Sequence, residues 1–464
     1  MAGGRALWDA AVSDLEAFLA RCRGAVGPQH VITDPEITAG QVVDWTRRWH
    51  GATPAVVRPG CTEEVAAVVA AARAGQVALV PQGGNTGLVA GAVPLEQEVV
   101  LDLRRLDELG PLDVAAAQVT VGAGVTLAAL QANLDGTGLA FGVDLAARDT
   151  ATMGGMVATN AGGVHVLSHG PMRAQVAGLT AVLGTGAVVA ANPHGLAKDN
   201  TGYDLAGLLC GSEGTLGVVT EVRLRLVAAP RARAEALLGF ASSAAMVGAL
   251  PALRATAALQ ALEAIPAAGL ALVARHLGTV PPLYPPPPWA VLVEVAGDDD
   301  ATASLAAAVD RLGTAVTATA VGTGGLGGLW VWRDRLTEAI AAVGVAHKAD
   351  VTVPLAELAS FLDAVPTLVG RVAPSARTWC FGHLGDGNVH VNVVGPPADD
   401  PAPLDAVYEA VVAAGGSVSA EHGVGRAKRA WMARQRGPAA VDAMRAIKAA
   451  LDPDGILNPG VLLP

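Results

Sequence analysis

From residue 53 onward, short apolar runs alternate with segments of helical period, and glycine or proline punctuates almost every change. Arg58-Pro59-Gly60 leads to Thr62, a candidate N-cap, with Glu63 and Glu64 at the positive end of the helix dipole. The period predicts a helix to about Ala74, stopped by Gly75. Strands are predicted over 77–80, 99–103 and 118–123, followed by a helix from about Thr126 and a glycine-dense run over 153–163. The alternation continues to about Leu226 and predicts an α+β first domain. From Ala229 to about Val280 the pattern reads as mostly helical and alanine-rich. The proline-rich run 281–288 then predicts a stiff connector before a strand over 289–295. More β–α alternation reaches about Val394, and 438–464 reads as a helix with a proline- and glycine-rich tail. The expected division is 1–228 (core about 53–228), 229–424, and a C-terminal segment 425–464 that returns to the first domain.

The longest stretch without charged residues runs over 174–197, and another runs over 236–253. The first contains Gly178, Gly184, Gly186, Asn192, Pro193 and Gly195, and predicts two short strands around a Gly184-Thr185-Gly186 turn. The second is broken by Gly239, Ser242, Ser243, Gly248 and Pro251. Neither reads as a membrane span, although 52% of the 464 residues are hydrophobic and only 16% charged. Alanine supplies much of that excess. The length favours two domains or one with a large insertion. The first 24 residues have a helical period and acidic groups but no apolar core, so neither a secretory signal nor a transit peptide is expected. Cys22, Cys61, Cys210 and Cys380 lie far apart, which argues against a disulfide framework and for a cytoplasmic chain, peripheral to a membrane only through a redox partner. A net charge of −11 without a Lys/Arg run disfavours nucleic acid. An anionic ligand must therefore meet a few local cations or backbone N–H groups.

Pro81-Gln82-Gly83-Gly84-Asn85-Thr86-Gly87-Leu88 follows a predicted strand. Its glycines let the backbone approach a pyrophosphate, and Asn85 and Thr86 add side-chain donors. It is neither G-x-G-x-x-G nor a Walker loop. Runs of similar character occur over 150–163 and 211–217, and three such loops suit one long ligand.

The run 379–393 carries different chemistry. Asp386-Gly387 between alternating apolar residues predicts a two-residue hairpin loop. Gly385 would pair with Asn388, and His383 would stand opposite His390 with Cβ atoms about 5 Å apart. Asn392 follows on the same face. Such a pair is either two half-exposed hairpin histidines or two metal ligands, with Glu421 in Ser419-Ala420-Glu421-His422-Gly423 as a third. Arg333 and Thr337 lie one helical turn apart, and Lys348 opens a predicted strand. Most such cations are simply solvated, but an arginine–lysine pair suits a dicarboxylate.

PQGGNTGL, VDLAARDTATMGGMVATNAGG, KDNTGYDLAGLLCGSEGTLGVVTEV and LDPDGILNPG together resemble the FAD-binding family of vanillyl-alcohol oxidase and p-cresol methylhydroxylase. The similarity is nearest to its D-2-hydroxyglutarate and D-lactate dehydrogenase branch, and runs from about Val56 to Leu463. It implies an α+β architecture: a p-cresol methylhydroxylase-type (PCMH-type) FAD-binding domain with an inserted α+β cap of the FAD-linked oxidase C-terminal type. It assigns Pro81, Gln82, Gly83, Gly84, Asn85, Thr86, Gly87 and Leu88 to the FAD pyrophosphate. Asp144, Thr150, Gly154, Gly155, Thr159, Asn160, Gly162, Gly163, Glu213, Gly217, Val218 and Asn458 are assigned to other cofactor contacts. Asn85 and Thr86 stand where covalent members carry a histidine, so non-covalent FAD is expected.

Branch motifs G-H-x-G-D-G-N-x-H-x-N and S-A-E-H-G-x-G are present without a gap. They imply His383, His390 and Glu421 as ligands of one divalent metal, zinc foremost and manganese as an alternative. Arg333, Thr337, Lys348, Asn392 and His422 become substrate contacts. One departure is Ala349, where the branch usually has an aromatic residue; a looser pocket wall is the expected effect. The implied reaction is dehydrogenation of D-2-hydroxyglutarate, with the metal on the C2 hydroxyl and C1 carboxylate, His422 as general base, and hydride transfer to flavin. Electrons would leave to a quinone, an electron-transfer flavoprotein, a cytochrome or oxygen, and a homodimer is compatible with the sequence. D-Lactate or glycolate dehydrogenation, a zinc-dependent hydrolase, and a substrate-free electron-transfer subunit are the competing readings.

Overall fold

The computed structural model describes residues 2–297, 300–322 and 328–464, with side chains described from Asp14 onward. The chain forms two compact units: one of Met1–Gly163, Gly170–Ala228 and His422–Pro464, the other of Val164–His169 and Ala229–Glu421. The short segment Val164–His169 thus belongs with the second unit, and the return to the first begins at His422 rather than at residue 425.

In the first unit, a four-stranded sheet runs in the order Val31–Ile32, Val56–Val57, Val99–Asp102, Leu79–Gln82. The helix Thr62–Gly75 buries Val65, Val68, Val69 and Ala72 at helical spacing, in one core with Phe18, Leu19, Leu79 and Leu101. Thr62 is its first residue, and Cys61 occupies the cap position. Gln76, at φ 49°, makes the left-handed stop expected of Gly75, and its N–H bonds back to Ala72 and Arg73. The strand expected over 77–80 is Leu79–Gln82. Leu79 N donates to Ile456 O and Asn458 N to Leu79 O, both at 2.8 Å, so the C-terminal tail backs the strand that carries the first glycine loop.

A five-stranded sheet follows, in the order Leu109–Asp113, Gln118–Gly122, Gly217–Arg225, Val176–Leu183, Val188–Ala191. Its last two strands are the hairpin expected within 174–197, turned at Gly186 with φ 83°. Among the described residues no helix is long and apolar enough to cross a membrane.

The second unit is built on a seven-stranded antiparallel sheet. Its order is Ala318–Gly322, Ala232–Phe240, Trp289–Gly297, Leu259–Pro266, Arg377–His383, Asn388–Val394, Ala346–Thr352. This corrects the helical expectation for 229–280, which holds the strands Ala232–Phe240 and Leu259–Pro266 beside three helices. Both strands are buried over most of their length, so they show no period-two alternation, and their alanines read as helix. Helices Ala267–Leu277 and Val331–Ala341 pack Leu270, Val273, Trp332 and Leu336 against Leu237, Leu292, Trp379 and Phe381. The run 281–288 is not a free connector: Leu283 is buried in this core.

Candidate active site

The flavin side is assembled within the first unit. A Cβ on Gly83 would lie 2.1 Å from Thr152 Oγ1, and one on Gly84 would lie 1.8 Å from Thr150 O. These glycines therefore let the loop at 83–88 press against the backbone at 150–152. Gly87 faces open space. Among the described residues, none of the backbone N–H groups from Gly83 to Leu88 donates to a protein acceptor. A row of uncommitted N–H groups on glycine-rich backbone suits a pyrophosphate.

Of the two side-chain donors expected there, Asn85 is otherwise engaged. Asn85 Nδ2 donates to Val43 O at 2.9 Å, and Gln82 Nε2 to Gln41 O and Ala92 O at 2.9 and 2.8 Å. Both amides thus brace the loop from within the first unit. Thr86 and Leu88 are half-buried, and Pro81 packs against Gly214.

The second run forms the helix Met153–Thr159, with Gly154 pressed on Ala123 and Gly155 meeting only Thr152 Oγ1. Thr152 Oγ1 is buried without a partner. Thr159 Oγ1 donates to Gly155 O, and Asn160 Oδ1 accepts from Arg173 N at 2.9 Å. Asp144 is paired with Arg148 at 3.0 Å, and Gly163 fits over its carbonyl; Gly162 is buried. Gly217 and Val218 open the strand Gly217–Arg225.

The carboxylate of Glu213, in the segment assigned to cofactor contacts, accepts the N–H groups of Val424 and Gly425, both at 2.7 Å. Burial pushes its pKa up despite those donors. Asn458 Nδ2 donates to Glu213 O and Gly91 O, while its Oδ1 is buried and unpartnered.

The second unit holds the histidines. In the hairpin Phe381 pairs with His390 and Trp379 with Asn392, so the register is two residues away from the expected His383–His390 pairing. The loop is the four residues 384–387, because the strand end leaves its partner: His383 pairs with Glu263, and Leu384 N donates to Leu262 O. A slip of two preserves side-chain parity. Both imidazoles therefore remain on one face, with ring centroids 5.3 Å apart.

Glu421 N donates to Asp350 Oδ2 at 2.8 Å, which brings the Glu421 carboxylate within 3.5 Å of His383 Nε2. One ligand atom each from His383, His390 and Glu421 lie within 4.8 Å of one another. Each imidazole is backed by a carboxylate through Nδ1: His383 by Glu263, His390 by Asp350 at 3.5 Å. Burial pushes the His383 pKa down, but Glu263 and Glu421 outweigh it and hold it well above the usual value. Burial likewise pushes Glu421 up, and His383 holds it below the usual carboxylate range. The field at this point favours positive charge. Two imidazoles and a carboxylate, with carboxylate support behind the rings, fit a divalent cation of the zinc kind.

Lys348 pairs with Asn392, and Asp350 with His390. Alternation therefore puts Lys348, Asn392, Asp350, His390, Trp379 and Phe381 on one face. Burial lowers the Lys348 pKa. Arg333 is buried over that face, 4.9 Å above the Phe381 ring, with Nε bonded to Glu263 Oε2 at 2.6 Å. Only its two terminal nitrogens remain for a substrate carboxylate. Thr337 is half-buried one turn further along the same helix. Ala349 pairs with Val391 and is buried on the opposite face, so it does not line this pocket, contrary to the expectation from sequence. His422 follows Glu421 directly and opens the returning segment of the first unit.

Sequence reasoning missed Glu263 and Asp350. Both are almost completely buried acids, and a lone acid in an apolar strand, as in Leu-Glu-Ala-Ile, is the signal that could have found Glu263. The helical reading of 229–280 hid it.

Residues 53–192 match the family described as FAD binding domain, and residues 229–462 match that of FAD linked oxidases, C-terminal domain. The D-2-hydroxyglutarate dehydrogenase of Xanthomonas citri pv. viticola is 39% identical over 436 residues, covering 90% of this chain and 91% of that protein. The mitochondrial D-2-hydroxyglutarate dehydrogenase of Bos taurus is 38% identical over 457 residues, covering 95% and 82%. Among solved structures, p-cresol methylhydroxylase with substrate bound superposes with a TM-score of 0.77 at 16% identity, over 97% of this chain and 96% of that one. An alkyldihydroxyacetonephosphate synthase gives a TM-score of 0.75 at 18% identity, over 95% and 84%. The chain therefore belongs to the FAD-linked oxidase family, with a PCMH-type FAD-binding domain and an α+β cap of the FAD-linked oxidase C-terminal type.

Proposed function

We propose that this FAD-linked hydroxy-acid dehydrogenase oxidises D-2-hydroxyglutarate to 2-oxoglutarate with the help of one divalent cation held by His383, His390 and Glu421. The observation that carries this reading is a single sheet face where Lys348 and Asn392 stand two residues from Asp350 and His390, with Arg333 overhead. Curated relatives named D-2-hydroxyglutarate dehydrogenase, similar over most of the chain, support the same substrate. When bound, FAD supplies the two-electron oxidant, and the cation supplies Lewis acidity toward a hydroxyl and its neighbouring carboxylate.

The protein's own groups do the rest. Arg333 offers its two terminal nitrogens as a fork for one carboxylate, with Nε already committed to Glu263. Lys348 meets the distal carboxylate as a point charge, and Asn392 contributes an amide on the same face. Thr337 adds a hydroxyl one turn from Arg333. His422 takes the C2 hydroxyl proton, since the ordinary histidine pKa lies near neutral pH. The acceptor for the two electrons of the proposed oxidation would be a quinone, an electron-transfer flavoprotein or a cytochrome. D-Lactate lacks the distal carboxylate that would engage Lys348, so it is the poorer substrate. The hydrolase alternative is set aside by the FAD-binding match.

The test is an anaerobic visible spectrum of the zinc-supplemented protein before and after D-2-hydroxyglutarate. Bleaching of the flavin by this compound, slower bleaching by D-lactate and none by the L-enantiomer are expected. A flavin that D-lactate bleaches faster would move the substrate to a monocarboxylate.

A further inference from the structure

Glu263 lies fully buried in the strand Leu259–Pro266, and its one carboxylate serves two partners. Oε1 bonds His383 Nδ1, and Oε2 bonds Arg333 Nε. The first partner is a candidate metal ligand, the second a candidate substrate clamp. The backbone that carries Arg333 is anchored independently. Glu294 accepts Trp330 Nε1 at 2.6 Å, and Glu235 accepts Leu329 N at 2.5 Å. Glu263 is therefore not needed to place the helix Val331–Ala341; what it controls is the aim of the Arg333 side chain.

We propose that Glu263 is a positioning residue that sets Arg333 and His383 in one register, so that the carboxylate and the hydroxyl of a 2-hydroxy acid are met at a fixed separation. The inference rests on the cation and substrate reading above. An Nδ1–H donated to Glu263 fixes the His383 tautomer and leaves Nε2 as the ligand atom. Nε donation by Arg333 fixes the plane of its guanidinium and turns the terminal pair outward. Glutamine cannot do both, because its amide has one acceptor oxygen and its NH2 would face an N–H donor.

The experiment compares flavin-loaded wild type, Glu263→Gln and, as a control, Glu98→Gln. Glu98 is another buried acid with an arginine partner, Arg426, and belongs to the first unit. Zinc affinity is read by competition with a chromophoric chelator, and KM for D-2-hydroxyglutarate is read at saturating zinc. Glu263→Gln is expected to weaken zinc binding about 10- to 100-fold and to raise KM roughly 10-fold, while Glu98→Gln changes neither by more than about twofold. Glu263→Asp keeps the charge but withdraws it by one methylene. It is expected to lose both properties, which keeps the test open if the Gln variant does not load flavin. Zinc affinity and KM unchanged in the Glu263 variants, a change in only one of them, or equal changes in the control would each overturn the coupling. Wild type that binds neither zinc nor manganese would overturn the cation reading itself and this inference with it, a result visible before any variant is made.

Discussion

Variants of Lys348, the proposed substrate cation, and of His422, the proposed base, separate binding from chemistry. Burial holds the Lys348 ammonium below the usual lysine range. As pH rises it loses its proton earlier than an exposed lysine does. KM for D-2-hydroxyglutarate should therefore climb in the alkaline range before an ordinary lysine would titrate, with kcat less affected. Lys348→Met should raise KM roughly 10- to 100-fold at neutral pH, the range for a lost hydrogen bond to a charged group, and should flatten that alkaline rise. A KM profile that stays the same in wild type and variant would remove Lys348 from the substrate. His422→Ala should instead lower kcat by about 10²- to 10⁴-fold with zinc content intact, the usual loss for a general base. Near-normal turnover with metal bound would assign the base elsewhere.

The hairpin 377–394 determines whether two imidazoles can share one ion. Gly387, at φ 79°, would place a Cβ 2.3 Å from Val353 O, a backbone atom with little freedom to move. Arg254 donates to the Gly385 carbonyl in the same loop. Gly387→Ala should cost about 1–3 kcal/mol of stability and weaken zinc binding, measured by thermal denaturation and chelator competition. Gly136, at φ 75° with nothing within 4 Å, is the comparison: its alanine variant carries backbone strain alone and should leave zinc affinity unchanged.

This loop also marks how far the sequence could be read. The Asp-Gly pair correctly announced a hairpin, and the parity of His383 and His390 survived, because the register slip was even. The slip itself was not legible, since it depends on a third strand, Leu259–Pro266, drawing off His383. That strand was hidden because burial on both faces erases the alternation by which strands are recognised. The hairpin Val176–Leu183 and Val188–Ala191 was legible, because its Gly184-Thr185-Gly186 turn interrupts the apolar run. Asn85 shows the opposite case: a donor in a glycine loop reads as a ligand contact, yet its partner, Val43 O, lies more than forty residues away.

At the scale of the whole chain, the two chemistries are built from different units. The loops at 81–88, 150–163 and 213–218, and Asn458, belong to the first unit, whereas His383, His390 and Glu421 all belong to the second. Each unit has its own hydrophobic cores, so losing the cation should not dismantle the flavin cradle. Treatment with a strong chelator should therefore leave the flavin spectrum and flavin content unchanged. Turnover of D-2-hydroxyglutarate should fall by at least about 100-fold, the scale of several kcal/mol of lost Lewis-acid stabilisation. Zinc or manganese added back should restore it without added FAD. Because His383 and Glu421 attract positive charge, protons compete with the cation at this site, and half-saturation should need more zinc as pH falls. Chelation that released flavin together with metal would show that the cradle depends on the cation. Full turnover after verified metal removal would leave Arg333 and Lys348 to bind the substrate alone, and the two histidines as the hairpin pair without a metal that the sequence also allowed.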